Sequence, residues 1–137
     1  MEPTKPEIGD IRLEWDWVKK GVKEILAEQP QLTFRAEDVY AECLHGNAVL
    51  WTTKEGFIVS QTSTDPFTNE NTFLVWLAWA KNKGNQNVVK YTPFFNEVAK
   101  NAGYKFLKVK SPIEAISKYL LNEGWNIDTI TYRKEVK

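Results

Sequence analysis

A chain of 137 residues with 42% hydrophobic and 26% charged side chains is sized for one domain with a substantial core, and is too apolar for intrinsic disorder. Its 18 basic and 18 acidic groups cancel, which excludes a strongly charged protein overall, yet residues 1–47 hold 6 basic and 10 acidic groups while residues 81–137 hold 11 and 5. The lone Cys43 excludes an internal disulfide, and no apolar run approaches the roughly 18 residues of a membrane span.

Residues 1–10 are polar, with Pro3, Pro6 and Gly9, and read as a flexible tail ahead of a single domain over 11–137. They lack the apolar stretch of a signal peptide, so the expected location is cytoplasmic. From Ile11 the apolar residues Ile11, Trp15, Val18, Val22 and Ile25 recur at spacings of three and four, predicting an amphipathic helix capped by Asp10 and stopped by Pro30. A second helix is predicted from about Ala36 to Leu44, with Thr33 as cap and Gly46 at its end. Cys43 and His45 have no second ligand pair elsewhere, so no metal site is expected.

Ala48–Thr53 reads as a strand. Lys54-Glu55-Gly56 reads as a hairpin turn with Gly56 at positive φ, and Phe57–Thr62 as the return strand. A turn-rich connection over 63–71 leads to Thr72–Ala80, the most apolar run of the chain. Simple alternation there points Phe73, Val75, Leu77 and Trp79 one way and Leu74, Trp76 and Ala78 the other. A strand apolar on both faces is central and covered on both faces. After the polar turn 81–87 a helical pattern runs to Ala102, with Pro93 placed either at a kink or in the first turn of a new start. Tyr104–Lys110 reads as a strand. Ser111-Pro112-Ile113-Glu114 opens a further helix to Asn122, with Ile113, Ile116, Tyr119 and Leu120 inward. Ile127–Val136 reads as a last strand. The helix between strands 72–80 and 104–110 makes those two parallel.

This α/β (α+β) order, ααβββαβαβ, resembles the GNAT superfamily of N-acetyltransferases: early helices, an antiparallel meander of three strands, a crossover helix, a parallel strand, a helix and a final strand in one mixed sheet with helices on both faces. Strand 72–80 running straight into a Gly-containing turn and helix, and the helix ending Glu123-Gly124-Trp125, support it. Trp15 and Trp17, Glu37-Asp-Val-Tyr40, Val75-Trp-Leu-Ala-Trp79 and Ser111 with Gly124-Trp125 are most similar to GNAT-like proteins encoded by bacteriophages, which implies a host-cytoplasm or virion location.

The resemblance implies acetyl-CoA as cofactor, held by the backbone of the central strand at Leu77 and Trp79 and by a pyrophosphate loop at Lys81, Lys83, Gly84, Asn85 and Gln86. Small residues in such a loop let backbone N–H groups reach phosphates at a helix start. Here Gly84 is present, but Gln86 stands where the family has a second small residue, so the loop is degenerate. Tyr119 is the candidate proton donor to the departing thiolate, one position from the family's place at Leu120. Glu70 is the nearest acid to the central strand that could serve as base.

The leading expectation is an acyl-CoA-dependent N-acetyltransferase with a small-molecule or protein amine acceptor. The alternative is a non-catalytic phage protein that uses the scaffold to bind a protein partner or itself, through exposed aromatics such as Trp15, Trp17, Phe67 and Trp125. Nucleic-acid binding through Lys81, Lys83, Lys105, Lys108 and Lys110 has no supporting motif.

Overall fold

The computed structural model describes residues 5–82, 90–110 and 114–136. A short strand, β1 (Glu7–Ile8), precedes helices α1 (Ile11–Glu28) and α2 (Ala36–Leu44). Strands β2 (Ala48–Thr52), β3 (Gly56–Thr64) and β4 (Asn71–Ala80) follow, then α3 (Thr92–Asn101), β5 (Phe106–Val109) and α4 (Glu114–Asn122). The sheet order is β1-β2-β3-β4-β5, antiparallel except for the parallel β4–β5 pair.

The stripe read on the first helix is the stripe that packs. Ile11, Val18, Val22 and Ile25 of α1 meet Ala36 and Val39 of α2 over Leu50, Phe57, Val59 and Leu77 of the sheet. The Asp10 carboxylate accepts from the Arg12 amide at 2.9 Å, capping the helix as its residue type predicts. Gly21 lets α1 approach the sheet closely, because a Cβ there would lie 2.5 Å from Phe57 Cε2 and 2.8 Å from Trp79 Cδ2. The opposite face of the sheet buries Trp51, Ile58, Phe73 and Val75 beneath Tyr91, Phe95 and Ala99 of the α3 region and Leu120 of α4. The sheet is therefore covered on both faces, as its central apolar strand requires.

Five local expectations change. The 1–10 segment is not wholly loose: Glu7 and Ile8 pair with Thr52 and Trp51, and the Gly9 amide donates to the Leu50 carbonyl at 2.9 Å. Helix α2 is capped by Arg35 rather than Thr33, with the Arg35 amide donating to the Asp38 carboxylate at 2.8 Å. Gly56 has no positive φ; it is required because β4 presses against it, as discussed below. The Ile127–Val136 strand is not formed, since its alternation has no sheet edge paired with it.

The fifth change concerns the central strand. Ser60 pairs with Val75 and Val59 with Leu77, so Trp76 is an extra residue, a β-bulge. A bulge reverses the alternation that follows it. Phe73, Val75 and Ala78 consequently face the second core, while Trp76, Leu77 and Trp79 face α1 and α2. Trp76 packs on Phe34 with ring centroids 5.1 Å apart.

Candidate functional site

The bulge coincides with the end of the sheet's parallel pair. β4 and β5 pair only from Thr72/Phe106 to Val75/Val109. There β5 ends, and β4 continues past the bulge through Trp76–Ala80 against β3, with no other strand beside it among the described residues. The parallel pairing thus stops at the carboxyl end of β5, the side of open α/β sheets where ligands bind.

Backbone alternation identifies what faces this cleft. The Lys81 amide donates to the Glu55 carbonyl at 2.7 Å. Antiparallel pairing alternates bonded and non-bonded positions, so Trp79 with Phe57 is the next bonded pair. Ala78 and Ala80 then direct N–H and C=O away from β3, toward the side where no strand lies among the described residues. Two alanines flanking Trp79 thereby offer an open, extended backbone to a ligand with its own amide groups.

The Leu77 side chain is buried in the first core. Trp79 is stacked on Phe57, with centroids 5.6 Å apart and an interplanar angle of 22°. Its indole N–H donates to Glu24 at 3.1 Å. Both side chains turn toward α1, so the cleft is offered the backbone beside them. Lys81 is exposed at the end of β4. Lys83, Gly84, Asn85 and Gln86 lie outside the described residues.

On α4 it is Leu120 that is buried, while Tyr119 is 50% exposed, with no hydrogen-bond partner among the described residues. The inward placement expected for Tyr119 is corrected accordingly: one helical position turns a side chain by about 100°. Glu70 precedes β4 and pairs with Lys105 at 3.0 Å. At about 3.3 Å per residue it lies roughly 25 Å along the strand from Ala78, at the wrong end for a base.

A polar network that sequence reasoning missed holds the cleft end of the sheet together. Glu55, in the β2–β3 turn, accepts hydrogen bonds from the Lys90 ammonium and the Tyr91 hydroxyl at the start of α3. Burial pushes the Glu55 carboxyl up, but those two hydrogen bonds and the Lys90 charge outweigh it, so the group titrates below the usual carboxylate value. Burial, and then the hydrogen bond to Glu55 and its charge, push the Tyr91 hydroxyl up to about 12. The stability tied to protonated Tyr91 is complete below its ordinary value of 10.0 and is lost as pH rises toward about 12. Tyr91→Phe is expected to flatten the alkaline limb of the pH–stability curve in that window. Equal slopes for the two proteins would remove Tyr91 as the responsible group. The Glu55 contribution has the opposite sense: present above the usual carboxylate range, lost as pH falls through the depressed value.

Other candidates resolve differently. Trp15 packs edge-on against Tyr40, Trp17 packs against Phe57, and Trp125 packs on the second core. Of the four aromatics suggested for a partner surface, only Phe67 is fully exposed. Lys105 and Lys108 are paired with Glu70 and Asp128, so they do not join a free basic stripe. Burial pushes the Cys43 thiol up to about 11, which keeps it protonated and a poor nucleophile. A shallow depression of about 340 Å³ lined by Asn96, Lys100, Tyr104 and Phe106 lies at the start of β5, away from the cleft. No described helix is long and apolar enough to cross a membrane.

No protein-family model matches the chain, and no curated protein matches it significantly. Solved structures do. A ribosomal-protein-alanine N-acetyltransferase from Brucella melitensis biovar Abortus 2308 superposes with a TM-score of 0.71 at 12% identity, covering 96% of this chain and 98% of that one. An aminoglycoside acetyltransferase from an uncultured soil metagenomic sample, in complex with sisomicin, gives 0.67 at 12%, covering 97% and 96%. An integron cassette protein from the mobile metagenome of Cole Harbour Salt Marsh gives 0.66 at 12%, covering 96% and 90%. At these identities the likeness is one of fold: the chain has the GNAT N-acetyltransferase fold along nearly its whole length.

Proposed function

We propose that the protein is an acyl-CoA-dependent N-acetyltransferase. The observation that carries this reading is the end of β4–β5 pairing at Val75/Val109, beyond which the Ala78 and Ala80 peptides have no strand beside them among the described residues. The donor, when bound, supplies an acyl thioester on a long arm that contains two amides. Such an arm fits an unpaired strand edge, because main-chain hydrogen bonds can be made to it as to an added strand. Ala78 and Ala80 would hold the arm. Lys81 and the loop at Lys83, Gly84, Asn85 and Gln86 would face its phosphates, where cationic charge and backbone N–H groups suit an anion. Gln86 in place of a small residue weakens that contact.

The chain's own contribution to chemistry is orientation and charge stabilisation. A strand N–H beside the bulge, fixed before the reaction, would stabilise the oxyanion that develops on the bound thioester. Tyr119, exposed on α4 and without a hydrogen-bond partner among the described residues, is the candidate proton donor. With Glu70 removed, no side chain of β4 serves as base, so an acceptor amine would enter unprotonated or lose its proton to water. The resemblance to bacteriophage proteins, and with it a host-cytoplasm location, rests on sequence pattern alone.

The test is calorimetric titration with acetyl-CoA and with CoA. It is followed by acetyl-transfer assays on sisomicin and on a peptide with N-terminal alanine, the acceptor classes that the similar structures suggest. Saturable heat with both nucleotides is expected. No heat at millimolar ligand would end the reading.

A further inference from the structure

One residue holds both sides of the connection between β4 and α3. The Glu55 carbonyl accepts from the Lys81 amide at 2.7 Å, at the end of β4. The Glu55 carboxylate accepts from the Lys90 ammonium and the Tyr91 hydroxyl, where α3 begins. Main chain and side chain of a single turn residue thus tie the strand end to the helix start. Both ends of the tie are anchored. In the turn, the Thr53 amide donates to the Gly56 carbonyl at 2.9 Å, and the Gly56 amide donates to the buried Thr53 hydroxyl at 2.9 Å. On the helix, the Tyr91 carbonyl accepts from the Phe95 amide at 3.0 Å, and both rings are seated in the second core.

The tie also sorts the two cations at this end of the sheet. Lys90 is paired with a carboxylate whose side chain is 9% exposed, and a charge placed that deeply is costly to leave unpaired. Lys81 is exposed and has no ion pair among the described residues. Stability alone does not call for such a pair, because apolar groups of similar volume often serve a fold as well. What hydrogen bonds add is fixed distance and direction. We infer that Glu55 is the positioning residue for the donor's diphosphate: it sets the start of α3 against the end of β4, keeps Lys90 in a neutral pair, and leaves Lys81 as the cation that meets the phosphates. The inference rests on the acyl-CoA reading and concerns the end of the donor far from its thioester. Its effect is on affinity, since a framework ordered before the ligand arrives lowers the ordering cost of binding.

The experiment compares two donors in the unaltered chain, Glu55→Ala and Glu55→Gln. Acetyl-CoA is titrated by calorimetry. S-acetylpantetheine, which keeps the arm and thioester and lacks the phosphates, is followed by the amide resonances of Ala78 and Ala80, which report weak binding. Glu55→Ala is expected to weaken acetyl-CoA about tenfold and to leave S-acetylpantetheine unchanged. Glu55→Gln keeps an oxygen for the Tyr91 hydroxyl, loses the charge that holds Lys90, and is expected to fall between. Val39→Ala, buried in the first core on the other face of the sheet, controls for lost stability and should bind acetyl-CoA as the unaltered chain does. Circular dichroism establishes that each variant is folded, and Glu55→Gln carries the comparison if Glu55→Ala is not. No acetyl-CoA binding by the unaltered chain ends the acyl-CoA reading and this inference with it. Binding by the unaltered chain that both Glu55 variants match overturns the inference and leaves that reading standing. Equal loss of the two donors also overturns it, because Glu55 would then act on the fold as a whole.

Discussion

Gly56→Ala is expected to lower the unfolding free energy by about 3 kcal/mol, read as a fall in denaturant midpoint at unchanged slope. A Cβ at this position would lie 2.1 Å from the Trp79 carbonyl oxygen, 2.9 Å from its carbonyl carbon and 3.0 Å from Ala80 Cα. All three are main-chain atoms of a paired strand, so no rotamer change relieves the collision. Gly21 is the softer case, because its nearest neighbours are ring atoms of Phe57 and Trp79. Alanine in a strand gains roughly 0.5–1 kcal/mol over glycine from the unfolded state, and the steric term must exceed this for the sign to hold. Relief requires either opening the β3–β4 ladder at its end or driving β4 into the cleft. Acetyl-CoA affinity should therefore fall along with stability. A loss of under about 1 kcal/mol would mean that the strands part freely at Gly56.

Ala78→Pro is expected to weaken acetyl-CoA binding at least tenfold while the protein stays folded. The substitution removes one N–H, and by the register of β3 with β4 that N–H is not part of the ladder. Proline is tolerated on a strand where its N–H side faces open space, and the residue before it, Leu77, is already extended. Losing a hydrogen bond to a ligand amide, together with ring bulk in the cleft, costs about 1.5–3 kcal/mol, tenfold or more in affinity. The control is Leu77→Pro, which removes an N–H from the β3 ladder and should unfold the protein. Unchanged affinity in folded Ala78→Pro would place the donor's arm elsewhere. Equal unfolding by both variants would overturn the assignment of which peptides face the cleft.

How much of this was readable follows from where each signal resides. The first helix, the meander and the parallel crossover rest on local periodicity and turn chemistry, and these are written in the residues themselves. The bulge at Trp76 is not, because Thr72–Ala80 is apolar on both faces and offers no alternation for an extra residue to break. The cleft lies beside that bulge, so its position was hidden even though the strand was plain. Ala78 and Ala80 carry no side-chain signal, because what they present is an outward-facing backbone. The Lys54-Glu55-Gly56 turn fixes the ladder phase, and that phase could have pointed to them. The Glu55–Tyr91 contact joins residues 36 apart in sequence, with no local pattern to announce it. Ile127–Val136 has a strand's pattern, but pairing is a property of the edge it meets, and Glu7–Ile8 pairs despite having almost no pattern.

The two faces of the sheet also differ in how the chain reaches them. Every described residue of the first core, from Ile11 to Leu77, and every described side chain packed against it, up to Trp79, precedes α3. The second core must bring Trp51 to Leu120 across the intervening chain. Closing longer loops costs more entropy before contacts repay it. On a ribosome, the α1/α2 face can therefore consolidate while α3 and α4 are still being made. The face that carries the crossover helix closes last, and with it the cleft. Pulse-labelled exchange during refolding should accordingly protect β2 and β3 before α4.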